Sequence, residues 1–194
     1  MKITFTKLIY LIALISFTLT AKAQYSPVPD TIRYSVGVDG AFPNGTFGTE
    51  YKYGLGASLQ VDFPLTERIY ITGNAGFDNF FAAAASTSNP MTIINVPQVN
   101  MKYTPIKIGF KYLLIRSFYV QAEGGETLLL NKSAVYGLNS TGLDYAGSMG
   151  IIFRLKQKTY IDGSFMYEAV QSFYGDGGYN NYFAFRIAYA FNLK

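Results

Sequence analysis

Between Tyr51 and Asp62 the residue types alternate without a break. Tyr51, Tyr53, Leu55, Ala57, Leu59 and Val61 are apolar or aromatic, and Lys52, Gly54, Gly56, Ser58, Gln60 and Asp62 between them are charged, polar or glycine. Side chains of an extended chain point to opposite faces with a period of two, so this pattern predicts a strand that is greasy on one side and polar on the other. The same division returns along much of the chain. Ile32, Tyr34, Val36 and Val38 alternate with Arg33, Ser35, Gly37 and Asp39. Leu143, Tyr145, Met149, Ile151 and Phe153 alternate with Asp144, Ser148, Gly150 and Arg154. Ile161, Phe165 and Tyr167 stand against Asp162, Ser164 and Glu168. Phe183, Phe185, Ile187, Tyr189 and Phe191 stand against Ala184, Arg186, Ala188, Ala190 and Asn192.

Eight strands are expected, at about Thr31–Ala41, Tyr51–Phe63, Ile69–Asp78, Val99–Tyr112, Phe118–Leu130, Leu143–Leu155, Thr159–Glu168 and Asn181–Leu193. Their connections alternate in length. Pro64–Arg68, Leu113–Ser117 and Lys156–Lys158 are short, whereas Phe42–Glu50, Asn79–Gln98, Asn131–Gly142 and Ala169–Asn180 are long. An even number of antiparallel strands with brief turns at one end and long loops at the other is the plan of an outer-membrane barrel. Closure leaves no edge strand, so every backbone group can be paired within hydrocarbon. The expected fold is therefore an all-β, eight-stranded antiparallel up-and-down transmembrane barrel with its apolar face toward lipid.

Composition points the same way. Charged residues make up 14% of the chain, well below the roughly one-quarter of a typical soluble domain, while aromatics reach 17%. Residues 1–23 read as a secretory signal peptide: Lys2 and Lys7, an apolar run from Leu8 to Leu19, and Ala21-Lys22-Ala23 before Gln24. That run is too short for a spanning helix. Its removal leaves 24–194 as one barrel domain and takes three lysines and no acid, so the formal charge of +4 falls to +1. The basicity belongs to the leader and implies no nucleic-acid partner. The absence of cysteine excludes a disulfide framework.

Two places break the alternation. Around Thr104-Pro105 the apolar parity switches from Val99, Met101 and Tyr103 to Ile106, Ile108 and Phe110, which predicts a bulge at the proline. Glu126 shares parity with Leu128 and Leu130, which predicts a second bulge at Gly124-Gly125 or an end of the embedded part before Glu126.

The chain resembles the small outer-membrane β-barrel family of the OmpA or OmpX type, and especially the porin-like outer-membrane β-barrel-domain proteins. The resemblance is carried by Ala21-Lys22-Ala23-Gln24, by Val96-Pro97 to Tyr112 and by the aromatic alternation from Phe183 to Phe191. It implies a bacterial outer-membrane location, lipid as surroundings and passage through the membrane's insertion machinery during biogenesis. The family usually ends on an aromatic that this machinery reads. Here Phe191 is followed by Asn192-Leu193-Lys194.

The expected register turns Arg33, Lys52, Lys102, Lys107, Lys111, Arg154 and Arg186 inward, together with Asp39, Asp62, Asp78, Glu123, Asp144, Asp162 and Glu168, seven charges of each sign. Eight strands enclose a lumen only wide enough for side chains to fill. Such a set predicts a paired network that plugs the barrel, and its balance of sign speaks against the single-sign rings of a selective channel. Without histidine or cysteine the chain lacks the usual proton-exchanging and thiol groups. Asp162 and Glu168, six residues apart on one strand, stand roughly 20 Å apart, too far for a carboxylate couple. No enzyme, cofactor or metal site is expected, and Asp176-Gly177-Gly178 reads as a flexible turn. The second long loop is apolar, with Phe80, Phe81, Ala82 to Ala85, Met91, Ile93 and Ile94. It either extends the strands and folds on the rim or recognises a hydrophobic partner. Three roles compete: a structural or loop-binding membrane barrel, a transporter of small or hydrophobic solutes through the lumen or a lateral opening, and a soluble lipocalin-like barrel with inverted faces.

Overall fold

A computed structural model describes residues 31–83, 99–156 and 158–192. The expected signal segment 1–23 and Ala84, Ala85, Met91, Ile93 and Ile94 of the second loop lie outside the described residues. Eight antiparallel strands run in order: β1 Arg33–Pro43, β2 Tyr51–Pro64, β3 Ile69–Ala82, β4 Met101–Leu113, β5 Phe118–Leu129, β6 Thr141–Lys156, β7 Thr159–Gln171 and β8 Tyr179–Asn192. Each pairs with its sequence neighbour, and β1 pairs with β8 from Arg33↔Asn192 to Pro43↔Tyr182, which closes the barrel. The short turns gather at one end and the long connections at the other, as the loop lengths predict.

The faces are those of a membrane-spanning barrel. Val36, Val38, Ile108, Phe110, Phe185 and Ile187 point outward and are more than half exposed. A monomeric soluble protein rarely leaves so many large apolar side chains exposed on one continuous face. Phe165 stacks on Phe183 at 5.5 Å on this outer surface, and Tyr34 stacks on Phe191 at 6.1 Å. The inward set is polar and buried, including Lys111, Asp62, Asp144, Asp162, Glu168 and Arg186. These faces are the reverse of what the lipocalin-like reading requires, and that reading is set aside.

Three sequence expectations are corrected. β4 contains no bulge: its pairing with β5 holds one register from Tyr103↔Leu129 to Leu113↔Tyr119, and Met101, Tyr103, Pro105, Lys107 and Lys111 all face inward. Proline lacks the amide donor, but the only consequence is a gap in the β3–β4 ladder between Ala75↔Ile106 and Asp78↔Tyr103, with register unchanged. No bulge occurs at Gly124-Gly125 either, because β5 keeps one register with β4 and β6. Glu126 is exposed on the outer surface, three residues from the end of β5 at the long-loop rim. Conversely, β2 does shift register, between Tyr51 and Tyr53, so that Tyr51 turns inward and Lys52 is exposed. One extra residue reverses the local facing, which buries the ring and frees the ammonium for water.

The first long connection also forms a six-residue helix, α1, at Gly45–Glu50. A single turn or two is marginal alone. Here Phe47 anchors it, buried over the barrel's open end, while Asn44 donates its backbone N–H to the Asn181 carbonyl at 2.9 Å.

Val38 sits mid-strand, opposite Ala57 and Ile187, on the outer face. Val38→Lys is expected to destabilise the barrel in lipid vesicles by about 2–4 kcal/mol, read as a lowered urea midpoint, while Glu126→Gln leaves the midpoint unchanged.

Candidate functional site: the barrel interior and its two mouths

In the half nearer the short turns, the lumen is organised around Lys111, which is fully buried on β4. Its Nζ donates to Asp62 Oδ2 at 2.9 Å and lies 3.6 Å from Asp162 Oδ2 and 4.5 Å from the centre of the Tyr119 ring. Tyr119 donates its hydroxyl to Asp162 Oδ1 at 2.7 Å, and Gln60 Nε2 donates to Asp62 Oδ1 at 2.6 Å. Glycine makes room for the tyrosine: a Cβ at Gly150 would come within 2.5 Å of its ring. Below this cluster, toward the turns, Arg33 lies 3.9 Å from Asp62, with its guanidinium over the rings of Tyr160 at 4.9 Å and Tyr70 at 5.5 Å.

Two further clusters fill the middle and upper lumen. Arg186 on β8 donates to Ser58 Oγ at 2.8 Å and Ser35 Oγ at 3.1 Å, with Asp39 at 3.7 Å. Lys107 donates to Glu168 Oε2 at 2.6 Å and stands 3.9 Å from Asp144. The second oxygen of Glu168 accepts from the Tyr182 hydroxyl at 2.6 Å, and Asp144 accepts from Thr127 at 2.7 Å. Glu123 accepts from Thr72 at 3.4 Å. Asp162 and Glu168 thus belong to different clusters, each bound to its own lysine, as the strand spacing implies.

An aromatic layer closes the long-loop end above these ions. Phe47, Phe80, Tyr103, Phe173 and Tyr182 are buried with Met101 and Val170. Phe80 lies 5.1 Å from Phe47 and 5.0 Å from both Tyr103 and Tyr182, and Tyr103 lies 5.3 Å from Phe173, all between ring centres. Asn180 donates to the Tyr103 hydroxyl at 2.9 Å. Phe80, expected in the second loop, is part of β3 and of this plug, whereas Phe81 stacks on Tyr53 at 4.7 Å.

Of the seven cations predicted inside, Arg33, Lys107, Lys111 and Arg186 are in the lumen. Arg154 has inward parity but stands exposed at the short-turn mouth, and Lys52 and Lys102 are exposed near the long-loop end. All seven predicted acids face inward. The expected balance of charge does not hold among the described residues: acids exceed cations in the lumen, and neutral donors make up the difference. Tyr119, Tyr182, Thr127, Thr72, Gln60 and Ser58 supply them. Ser58 and Gln60 lie on the polar face that the sequence predicts, whereas the two tyrosines and two threonines were not singled out, although Tyr119 shares parity with Gln121 and Glu123, and Tyr182 with Arg186. A hydroxylated aromatic in phase with a polar face was the available signal.

In the fourth long loop Asp176 closes a local turn, accepting from the Gly178 N–H at 3.0 Å between two residues at positive φ, Gly175 and Gly177. Hydrogen bonds from Ser172 and the Gly178 backbone hold its carboxyl below the usual carboxylate range. It serves the turn.

These features define a membrane-spanning barrel with a filled lumen. No family model and no curated protein matches the chain. Among solved structures it is similar to neisserial surface protein A, at 9% identity and a TM-score of 0.56, over 84% of this chain and 96% of that one. It is also similar to the outer membrane protein OprG from Pseudomonas aeruginosa, at 11% identity and a TM-score of 0.51, over 84% and 95% of the two chains. At such identities the likeness is one of fold, and the fold is that of the small outer-membrane barrels.

Lys111→Met removes the charge shared by Asp62 and Asp162 and is expected to cost about 3–5 kcal/mol, measured by urea titration in vesicles. Adding Asp162→Asn should recover part of that loss, since Asp62 keeps Arg33 as its counter-ion and no wholly unpaired carboxylate then remains.

Proposed function

We propose that this chain is an integral outer-membrane protein without enzymatic activity, whose work lies in its external loops and not in its lumen. The observation that carries the reading is the double closure of the lumen, by ion clusters along its length and by the aromatic layer at its long-loop end. Loop geometry supports it. Tyr136, 77% exposed, has φ of +55°, a left-handed conformation that non-glycine residues adopt at a cost of about 1–3 kcal/mol and that tends to persist at functional positions. Leu138 beside it is 68% exposed. The loop is held in place while it presents them: the Leu138 and Asn139 amides both donate to the Phe173 carbonyl, at 2.8 and 2.9 Å. An apolar pair on a braced loop suits recognition of a partner surface.

A second reading, passage of a small hydrophobic solute through the wall, is favoured by the ladder gap at Pro105. There Gly76 and Phe77 face Thr104 and Pro105 without ladder pairing.

Planar-bilayer recording separates these roles from axial transport. The barrel is expected to insert without discrete conductance steps, and Phe47→Ala, which opens the aromatic layer, should remain silent because the ion clusters persist beneath it. Reproducible steps in the parent protein would overturn the proposal. Faster uptake of a neutral hydrophobic dye into barrel-containing vesicles, reduced in Pro105→Val, would favour the second reading.

A further inference from the structure

The short-turn mouth is built differently from the rest of the molecule. It opens into a cavity of about 710 Å³, within the range of small-molecule sites. Four arginines from four places in the chain line it: Arg33 on β1, Arg68 and Arg116 in the first and second short turns, and Arg154 near the end of β6. Among the described residues Glu67 is the one acid in the lining. The floor is apolar, formed by Leu113 and Ile152, which pack with Tyr70, Tyr119 and Tyr160. Among the described residues the Lys111 cluster fills the lumen above that floor.

We propose that this vestibule binds a phosphate monoester carrying an apolar group. Arginine's planar fork matches phosphate oxygens bidentately, and four such forks around one acid suit a dianion better than a single carboxylate. Arg33 is the innermost. Two aromatic rings hold its guanidinium, and its buried Nη1 stands 3.9 Å from Asp62 Oδ2. Its positive charge, with those of Arg68, Arg116 and Arg154 nearer the turns, makes the vestibule cationic and attractive to an oxyanion. The rings of Tyr70 and Tyr160 and the aliphatic floor would receive the ester's apolar part. The external loops of the proposed function play no part in this site, so either proposal can fail without the other.

The test is calorimetric titration of the whole barrel in neutral detergent micelles with two probes, phenyl phosphate as a soluble ester and dihexanoyl phosphatidic acid as a lipid headgroup. Binding of either supports the site, and the tighter of the two assigns the source. Benzyl alcohol, which lacks the phosphate, should not bind. Arg68→Ala with Arg116→Ala, both on exposed turns, should weaken binding about tenfold or more, because a charge-assisted hydrogen bond is lost at each. Arg68→Lys with Arg116→Lys should recover part of it, since charge is restored without the fork. Far-UV circular dichroism of each variant confirms the fold. No binding of either phosphate, equal binding of benzyl alcohol, or unchanged affinity in the folded double alanine variant would overturn the proposal.

Discussion

The closing ladder between β1 and β8 is the constraint from which the rest follows. A strand edge left open in hydrocarbon would expose a row of unpaired N–H and C=O groups, each costing several kcal/mol. Register from Arg33↔Asn192 to Pro43↔Tyr182 removes that edge. Closure at eight strands then fixes a lumen that only side chains can fill. Small residues inside β8, Ala184, Ala188 and Ala190, leave space for the long ones, and Gly37 permits Arg186 to lie against β1, where a Cβ would approach its Nε to 2.8 Å.

Filling such a lumen with charge is possible because every cation in it, Arg33, Lys107, Lys111 and Arg186, stands within 4 Å of a carboxylate. A carboxylate or ammonium out of water is stabilised only by close ion pairs and enough hydrogen bonds to use its remaining lone pairs or protons. Lys111 and Lys107 each serve two acids, and tyrosine and threonine hydroxyls donate to Asp162, Glu168 and Asp144. The outward face carries the opposite requirement and meets it with branched and aromatic side chains.

Strand number, loop alternation and lipid-facing parity were legible in the sequence because period-two patterning is direct where one face meets lipid and the other meets ions. Errors concentrate at the long-loop end. There the polar-inside rule lapses, since Met101, Tyr103 and Phe80 turn inward to form an apolar lid. Reading Met101 and Tyr103 as outward forced a bulge at Pro105 that the ladder does not contain. The unbroken alternation at Tyr51–Lys52 concealed a real one. Lys102 was misplaced for the same reason, as it lies outward beside the third loop, its amide donating to Asn131 Oδ1 at 3.0 Å. The four arginines of the short-turn mouth were not legible together, because Arg68 and Arg116 sit in turns where a strand pattern assigns no face.

The central claim is the assignment of faces, lipid outside and paired ions within. The chain has no cysteine, so any single one introduced is a unique probe. Val38→Cys, Ile108→Cys and Ile187→Cys should resist a charged, membrane-impermeant maleimide when the barrel stands in vesicles, while Ser133→Cys, in the exposed third loop, reacts at once. Rapid labelling at the three strand positions in intact vesicles would place the apolar face in water and contradict the account.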